Sequence, residues 1–142
     1  MIQIKHCKNK KELEDAKLVR KQVFVVEQNI DSEIESVGDE KCDHFVAYSD
    51  NLPVGGGRIN YSNPNTAKIE RMAVLKNSRG SGIGGKILGS MINFSKNKEG
   101  INCVILDAQY HAKGFYEKYG FQPDGEIFEE VGLPHIKMKL VL

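Results

Sequence analysis

The sequence predicts one mixed α/β domain in which helices flank a central sheet. Its length of 142 residues is the usual size of one compact domain and is enough to bury a hydrophobic core. Segments with the two-residue period of strands alternate with segments with the period of helices, without an internal repeat or a low-complexity tract. The predicted order of elements is β-α-β-β-β-α-β-α-β, with residues 1–142 forming a single domain.

The first third of the chain predicts a strand, a helix and a loop. Ile2 and Ile4 alternate with polar residues, as in a strand, and residues 10–26 place apolar side chains at helical spacing. A polar, acidic stretch at residues 27–43 follows, either as a surface loop or with a short helix inside it. A long loop in a small domain is often functional.

The next segments predict an antiparallel hairpin and a further strand. An apolar strand at residues 44–48 leads through a tight turn at 50–53 into a strand at 54–61. Glycines at positions 55, 56 and 57 indicate a bulge or a close approach of backbones in that second strand. Residues 68–75 form the following strand.

The second half predicts two helices and two strands. Apolar residues recur at helical spacing from residue 83 to 92, and residues 101–106 are almost continuously apolar, as in a buried strand. Residues 111–119 form a short helix that Gly120 ends as its C-terminal cap. Regular alternation from residue 136 to 142 predicts the last strand, which could join a second copy in a homodimer if its edge is open.

Charge and cysteine content exclude several classes of partner. With Lys+Arg 20 against Asp+Glu 19, the net charge of +1 predicts no general attraction to nucleic acid or to a membrane surface. Cys7, Cys42 and Cys103 lie far apart, so neither a disulfide framework nor a zinc site is expected. The first residues turn charged early and lack the apolar core typical of a signal peptide, and no apolar run approaches the ~20 residues of a membrane span. We therefore expect a cytoplasmic protein.

Residues 77–86, NSRGSGIGGK, place several glycines directly before a predicted helix. Glycines there let a bound phosphate reach main-chain N–H groups that side chains would block. The same letters satisfy three motifs, and a fourth interpretation is a turn that only caps the helix.

Two of the three motifs lack their context. Gly80, Gly82 and Gly85 fit the dinucleotide pattern G-x-G-x-x-G, with Asp107 as an acid after the next strand. These glycines follow their strand too late, and too little chain remains for a dehydrogenase. The pattern G-x-x-x-x-G-K also fits, but Ile87 stands where a nucleotide hydrolase needs a magnesium-binding hydroxyl.

The third motif, R-x-x-G-x-G, is satisfied by Arg79, Gly82 and Gly84, a few residues after a strand that ends MAVL. In this position it resembles the signature with which the GNAT superfamily of N-acetyltransferases binds the pyrophosphate of coenzyme A. FYEKYGF, which begins at Phe115, resembles the family's F-Y-x-x-x-G-F segment near the cofactor's thiol. The two signatures occur in the family's order, with a strand between them. Gly114 is a departure, since relatives often carry another residue before F-Y.

Three further segments extend the resemblance over nearly the whole chain. VRKQVFVVEQ from Val19, IERMAV from Ile69 and GLPHIKM from Gly132 are similar to the ElaA-like subgroup of small bacterial GNAT proteins. The resemblance implies a mostly antiparallel sheet, acetyl-CoA as co-substrate, and no metal. The acceptor that it implies is a primary amine on a small molecule, such as glucosamine 6-phosphate or another amino sugar, a polyamine or an amino-acid derivative. A peptide or protein N-acetyltransferase and a coenzyme A-binding sensor without turnover remain open alternatives.

The resemblance implies a cofactor site built from one strand, the glycine loop and the short helix. The strand is implied to diverge from its neighbour, so that its main-chain N–H groups stabilise an oxyanion. The implied cofactor residues are Met72, Ala73, Val74, Arg79, Gly80, Ser81, Gly82, Ile83, Gly84, Gly85, Lys86 and Phe115.

Acetyl transfer needs a proton for the departing thiolate and a base for the amine. Tyr116 is the candidate general acid, because a phenol with a reference pKa of ~10 is protonated at neutral pH; the alternative is that its ring only packs. Glu70 is the candidate base, and the alternative is a solvated strand residue or an ion pair with Arg71.

A third set of residues is expected around the acceptor, chiefly from the subgroup resemblance. Arg58 could recognise an acidic group on the acceptor, or could be a surface ion-pair residue. A lone histidine at the start of a strand is often structural. The set comprises Glu27, Asp43, His44, Arg58 and His135.

Overall fold

A computed structural model describes residues 1–142, and its centre is a sheet of eight strands. The strands are β1 (Ile2–His6), β2 (Asp43–Ser49), β3 (Leu52–Asn63), β4 (Thr66–Val74), β5 (Cys103–Gln109), β6 (Gln122–Pro123), β7 (Phe128–Glu130) and β8 (Leu133–Val141). The α-helices are α1 (Lys10–Arg20), α2 (Ser32–Ser36), α3 (Ile83–Lys96) and α4 (Lys113–Glu117). A π-helical segment (Lys21–Glu27) and short 3-10 turns (Asp39–Lys41, Lys76–Ser78 and Tyr110–Ala112) complete the chain.

The strand order across the sheet is β1-β2-β3-β4-β5-β8-β6, and β7 also pairs with β8. Only β4 and β5 run parallel; every other neighbouring pair is antiparallel. The predicted mixed α/β fold with a mostly antiparallel sheet is confirmed. None of the helices has the length and apolar character needed to cross a membrane.

The predicted hairpin between β2 and β3 is also confirmed. Ser49 faces Leu52, so the connection is the two residues Asp50 and Asn51. Both have positive φ, 50° and 70°, which matches the right-handed twist of the flanking strands. Aspartate and asparagine tolerate this conformation better than most residues, so the turn follows from local sequence.

Helices cover both faces of the sheet. The helix α3 packs its buried residues Ile83, Ile87, Leu88 and Met91 on one face and forms the main core there, as the i, i+4 spacing predicts. The helix α1 covers the opposite face, where smaller clusters of buried residues lie. The members of these smaller clusters are Ala16, Val46 and Tyr48, and Val19, Val23 and Ala73.

The glycines of β3 allow both helices to approach the sheet closely. A Cβ added at Gly56 would lie 3.4 Å from the main-chain oxygen of Ala16 in α1. A Cβ at Gly55 would lie 2.6 Å from Cδ1 of Ile87 in α3. The predicted close approach is confirmed, and the predicted bulge lies nearby, where the pairing of β3 with β4 shifts between Gly56 and Arg58.

Two expectations need correction. The helix predicted at residues 10–26 is α-helical only to Arg20 and continues as the π-helical segment, in which Gln28 donates to the carbonyl of Val23. The spacing of apolar residues does not distinguish an α-helix, in which each N–H bonds to the fourth preceding residue, from a π-helix, in which it bonds to the fifth. The last strand has no open edge, because β6 and β7 pair with it on the side away from β5; the basis for a homodimer through this edge is removed.

Substitution of Gly55 by Ala is expected to destabilise the protein by about 1–3 kcal/mol, the usual cost of overpacking a core. The added methyl group would also lie 3.2 Å from the main-chain oxygen of Ala73, which cannot move aside easily. Gly89→Ala on α3 is the matched control, because a Cβ there meets no atom within 4 Å. Alanine in that helix should stabilise the fold by up to about 1 kcal/mol. Urea unfolding of both variants measures the difference, and equal effects would contradict the close packing described.

Candidate active site

The site begins where the parallel strands β4 and β5 separate. They pair only from Thr66 to Ile69 on β4 and from Cys103 to Leu106 on β5, although β4 continues to Val74 and β5 to Gln109. The divergence implied for this strand is therefore confirmed. A cleft of about 510 Å³ opens in the gap.

The walls of the cleft come from distant parts of the chain. The π-helical segment and the loop after it form one wall, the ends of β4 and β5 the floor, and α4 with the β7–β8 turn the other side. The side chains lining it are half apolar and half polar. Polar members include Glu27, Gln28, Glu35, Lys68, Glu70, Arg71, Arg79, Asp107, Gln109, Glu130 and His135.

The end of β4 presents main-chain groups to this cleft. The Leu75 N–H donates to the carbonyl of Val54 in β3, 2.9 Å away, so the groups of Val74 face the other edge, from which β5 has diverged. Two residues earlier, Met72 has the same orientation. A bulge precedes this segment, where Arg71 has a φ of 57°. The strand edge therefore offers free N–H donors inside a cleft.

The glycine loop presents a second set of free donors. The helix α3 begins after Gly82, which has no capping side chain, and Lys86 is the first residue to donate back, to the carbonyl of Gly82. The N–H groups of Ile83, Gly84 and Gly85 have no partner in the protein. A Cβ added at Gly84 would lie 3.8 Å from Cγ2 of Val74 and 3.7 Å from Phe115, so the loop adjoins the open strand edge.

Glycine is needed at different positions of this loop for different structural reasons. Gly80 and Gly82 have φ of 87° and 82°, a left-handed conformation that side chains disfavour. An added Cβ at either would meet no atom within 4 Å, so the space beside them is open. Gly85 instead lies against the hydroxyl of Tyr119.

Arg79 and Glu27 bind each other across the mouth of the cleft. The Arg79 guanidinium donates from Nη1 and Nη2 to the two carboxylate oxygens of Glu27, at 2.7 and 2.6 Å, and from Nε to the carbonyl of Val74, at 2.9 Å. This hydrogen-bonded pairing with Arg79 lowers the pKa of Glu27. The residue expected at the cofactor and the residue expected at the acceptor thus form one bidentate ion pair.

Tyr116 lies on α4 and lines the cleft. Its ring packs edge-on against Phe115 and Phe121, with centroids 5.1 and 6.0 Å away. Burial raises its pKa to about 12, and its hydroxyl has no hydrogen-bond partner in the protein. No buried polar side-chain atom lacks a partner, so this hydroxyl is open to the cleft.

Glu70 lies on the floor of the cleft, and its carboxylate is already paired. Oε1 accepts from Nε of Arg58 at 3.0 Å and lies 3.0 Å from Nη2 of the same residue. Oε2 lies 3.6 Å from Nζ of Lys68, which itself pairs with Asp107 at 3.0 Å. Glu70 does form ion pairs, the alternative role considered for it, but with Arg58 and Lys68 and not with Arg71. The side chain of Arg71 instead donates to carbonyl oxygens of α2.

Comparison with known proteins places this geometry in a family. The domain family described as "Acetyltransferase (GNAT) domain" matches residues 8–142. The chain belongs to the GNAT acetyltransferase family.

Individual relatives agree with this family. The uncharacterized N-acetyltransferase YjcF of Bacillus subtilis is 38% identical, over 93% of this chain and 94% of its own. ElaA of Escherichia coli is 32% identical over 82% of this chain and 78% of its own, and its crystal structure superposes with a TM-score of 0.83 over 98% and 97% of the two chains. A putative N-acetyltransferase from Lactobacillus plantarum, 23% identical, shares the fold with a TM-score of 0.91 over 99% of this chain and 98% of that one.

The ElaA-like resemblance is therefore confirmed, and the protein is a GNAT acetyltransferase. Acetyl-CoA is the acetyl donor of this family. The dinucleotide and nucleotide-hydrolase interpretations of the glycine loop are excluded, since the loop belongs to a fold of a different kind.

Behind the cleft wall of this GNAT domain lies a buried ionic network. The guanidinium of Arg20, with no exposed surface, donates to the carboxylates of Glu35 and Asp39 at 2.8 Å each and lies 3.3 Å from Nδ1 of His44. Arg58 joins Asp39, at 2.6 Å, to Glu70. Burial acts to raise the pKa of Asp39, but Arg20 and Arg58 outweigh it and hold that pKa below its ordinary value. The network joins the 27–43 segment to β4.

Three residues expected around the acceptor lie elsewhere. Arg58 and His44 are buried within the ionic network, and neither lines the cleft. Asp43 binds His6 and the hydroxyl of Tyr61, at 3.0 and 2.7 Å, outside the cleft. Their placement at the acceptor is corrected, because each polar group is already paired with a residue distant in sequence. Glu27 and His135 do line the cleft.

Sequence reasoning missed several polar residues of the site. Lys68, Arg71, Asp107, Gln109 and Glu130 line the cleft but were not assigned to it. The available signal was the alternation at the end of β5, where Asp107 and Gln109 interrupt an apolar strand. Polar residues at the end of a buried strand indicate that one face of the sheet opens there.

Replacing Arg20 by Met should destabilise the protein by about 3–5 kcal/mol, because it leaves two carboxylates buried without their shared cation. Lys11→Met is the matched control, since the Lys11–Asp15 pair of 2.8 Å is on the surface and Lys11 is 79% exposed. Such pairs contribute about 0–1 kcal/mol. Chemical unfolding measures both free energies, and an Arg20→Met variant as stable as the control would show that the network is not needed for folding.

Proposed function

We propose that this GNAT enzyme transfers the acetyl group of acetyl-CoA to a primary amine on a small molecule, by direct attack of the amine. Candidate acceptors are amino sugars such as glucosamine 6-phosphate, polyamines and amino-acid derivatives. The observation that carries the proposal is the open edge of β4, which meets the unbonded Tyr116 hydroxyl in one cleft and adjoins the free donors of the glycine loop.

The free donors fit the anionic part of acetyl-CoA. Bound at this site, acetyl-CoA would supply an acetyl thioester for attack and a pyrophosphate as its anchor. Main-chain N–H groups at the start of a helix favour phosphate, and the open space beside Gly80 and Gly82 leaves them accessible. The proposed cofactor residues are Met72, Ala73 and Val74 on β4, the loop and helix start from Arg79 through Gly80, Ser81, Gly82, Ile83, Gly84 and Gly85 to Lys86, and Phe115.

The end of β4 is proposed to stabilise negative charge. The main-chain N–H groups of Met72 and Val74 lie on the open edge of a strand that β3 holds in place on its other side. Donors fixed in this way need no reorganisation when charge develops on a carbonyl oxygen.

Tyr116 is proposed as the general acid. A pKa of about 12 keeps its phenol protonated over the whole neutral range. Since no protein group is hydrogen-bonded to the Tyr116 hydroxyl, this hydroxyl is free to donate to a departing sulfur.

Direct attack is favoured over a covalent acetyl-enzyme. Cys7, Cys42 and Cys103, the three thiols of the chain, do not line the cleft. Burial also raises the pKa of the Cys7 thiol to about 12, and it raises the pKa of Cys42, so neither is activated as a thiolate.

Glu70 is proposed to order the acceptor side of the cleft. Its two oxygens are held by Arg58 and Lys68, so it connects the buried network to the floor of the cleft. Both oxygens therefore already have a cationic partner in the protein.

Acetyl-CoA is expected to raise the unfolding temperature of the wild-type protein. A ligand that binds only the folded state stabilises it by RT ln(1 + [L]/Kd), or about 2.7 kcal/mol at a hundredfold excess over Kd. Gly82→Val should fold but lose most of this shift, because Val is disfavoured at a φ of 82° and crowds the anion. Gly89→Ala should keep it. Differential scanning fluorimetry with acetyl-CoA, NAD and ATP makes the comparison.

Absence of any shift at millimolar acetyl-CoA would remove the proposed donor. A normal shift in Gly82→Val would show instead that the glycine loop is not where acetyl-CoA is held.

Tyr116→Phe should lower kcat by roughly 10²-fold, the scale for loss of a general acid, with the acetyl-CoA shift unchanged. With an acetyl donor whose thiol is a better leaving group, the loss of kcat should be smaller. Tyr110→Phe is the control, because Tyr110 is 42% exposed and lies outside the cleft lining. Release of free coenzyme A across an amine panel measures kcat. An unchanged kcat under conditions where chemistry limits the rate would contradict the role of Tyr116.

A further inference from the structure

His135 is held on β8 with a defined ring orientation. It faces Gln109 across the β5–β8 pair and stacks on Phe128 of β7, with ring centroids 5.8 Å apart. His135 is only 6% exposed, and it lines the cleft. A ring packed between two strands cannot turn freely, so each of its nitrogens has one environment.

The hydrogen bonds of this ring determine which nitrogen carries the proton. Nδ1 lies 2.8 Å from the main-chain oxygen of Leu133. A carbonyl oxygen only accepts, so Nδ1 is the protonated nitrogen and donates to it. The neutral ring therefore has its lone pair on Nε2.

The lone pair on Nε2 is free and accessible. No protein group bonds to Nε2, and no buried polar side-chain atom in the structure lacks a partner, so Nε2 is reached from the cleft. Glu70, the other candidate base, has its carboxylate taken up by Arg58 and Lys68. Of the two, only His135 offers an unoccupied proton acceptor.

We propose that His135 is the general base that deprotonates the acceptor amine, an inference that rests on the proposed function. The acceptor enters as an ammonium ion. One of its N–H bonds breaks, the electron pair stays on the amine nitrogen as the nucleophile, and the proton forms a new bond to Nε2. The resulting imidazolium returns that proton to water at the end of turnover, while Nδ1 remains bonded to Leu133 throughout.

The surroundings of His135 leave this role to the imidazole. Charged groups on the same face include Asp107 of β5, Lys137 of β8 and Glu130 of β7, and His111 in the turn after β5 also lines the cleft. Asp107 is paired with Lys68 at 3.0 Å and Lys137 with Asp124 at 3.9 Å. Nε2 of His111 is hydrogen-bonded to Oε1 of Gln109 at 2.9 Å. Glu130 is exposed at the rim.

The first test needs no acceptor. Long-range proton–nitrogen NMR on uniformly ¹⁵N-labelled protein reports which nitrogen of each histidine is protonated, and the His135→Asn variant assigns the signals. We expect Nδ1 to be protonated and Nε2 to be unprotonated in the neutral ring of His135. A neutral ring with its proton on Nε2 would overturn the proposal.

The second test measures kinetics with two probe amines, a primary alkylamine and hydroxylamine, which is largely unprotonated at neutral pH. Asparagine at position 135 retains a donor for Leu133 but lacks the base. His135→Asn should lower kcat/KM for the alkylamine by roughly 10²-fold or more and much less for hydroxylamine. Any loss of wild-type activity on acidification that comes from this base should disappear in the variant.

Two matched variants complete the design. His6→Asn, at a histidine outside the cleft lining, should leave both amines and the pH profile unchanged, and Glu70→Gln should keep any loss of activity at acid pH. An equal loss for both amines with an unchanged pH profile in His135→Asn would assign His135 a structural role and overturn the proposal. If Glu70→Gln alone removed the acid limb, Glu70 would be the base. Failure of the wild type to acetylate any amine while it binds acetyl-CoA would count against the proposed function instead.

Discussion

The separation of β4 from β5 is the constraint on which the rest of this structure depends. A strand edge inside a folded protein leaves N–H and C=O groups without partners, and such groups are costly to bury. Here the edge remains exposed to a cleft, where a ligand can satisfy it. The bulge at Arg71 and the pairing of β4 with β3 hold the strand in place, and the Arg79 guanidinium already satisfies the exposed carbonyl of Val74.

The charges around this cleft hold parts of the chain that are distant in sequence in fixed positions. Burying ions such as Arg20 and Asp39 is expensive, and an apolar set of similar volume is often as stable. The ionic network also positions the chain: through Arg58 it connects the 27–43 segment to Glu70 on β4. The Glu27–Arg79 pair makes a similar connection at the mouth of the cleft, between the π-helical segment and the glycine loop.

Two side chains in one cleft have opposite proton chemistry because their surroundings differ. Burial with no polar partner keeps Tyr116 protonated, which suits a donor. A backbone carbonyl occupies Nδ1 of His135 and leaves a lone pair on Nε2, which suits an acceptor. Both assignments depend on hydrogen bonds that are made or left unmade, and not on the residue types alone.

The sequence by itself determined the features that depend on neighbouring residues. The period of α3, the turn at Asp50 and Asn51, the close packing at Gly56 and the Gly-rich start of α3 all follow from local patterns, as does the α/β class. Tyr116 was predicted through the resemblance of a short motif, and the structure places it in the cleft lining. Only the tertiary structure decided which polar groups reach the cleft. Arg58 and His44 are paired within the buried ionic network, and Asp43 is paired with His6 and Tyr61. Lys68 and Asp107 are instead brought to the floor of the cleft. Hydrophobic period is a property of one segment, whereas the partner of a buried charge depends on the register of strands and helices far apart in the chain, and no local pattern encodes it.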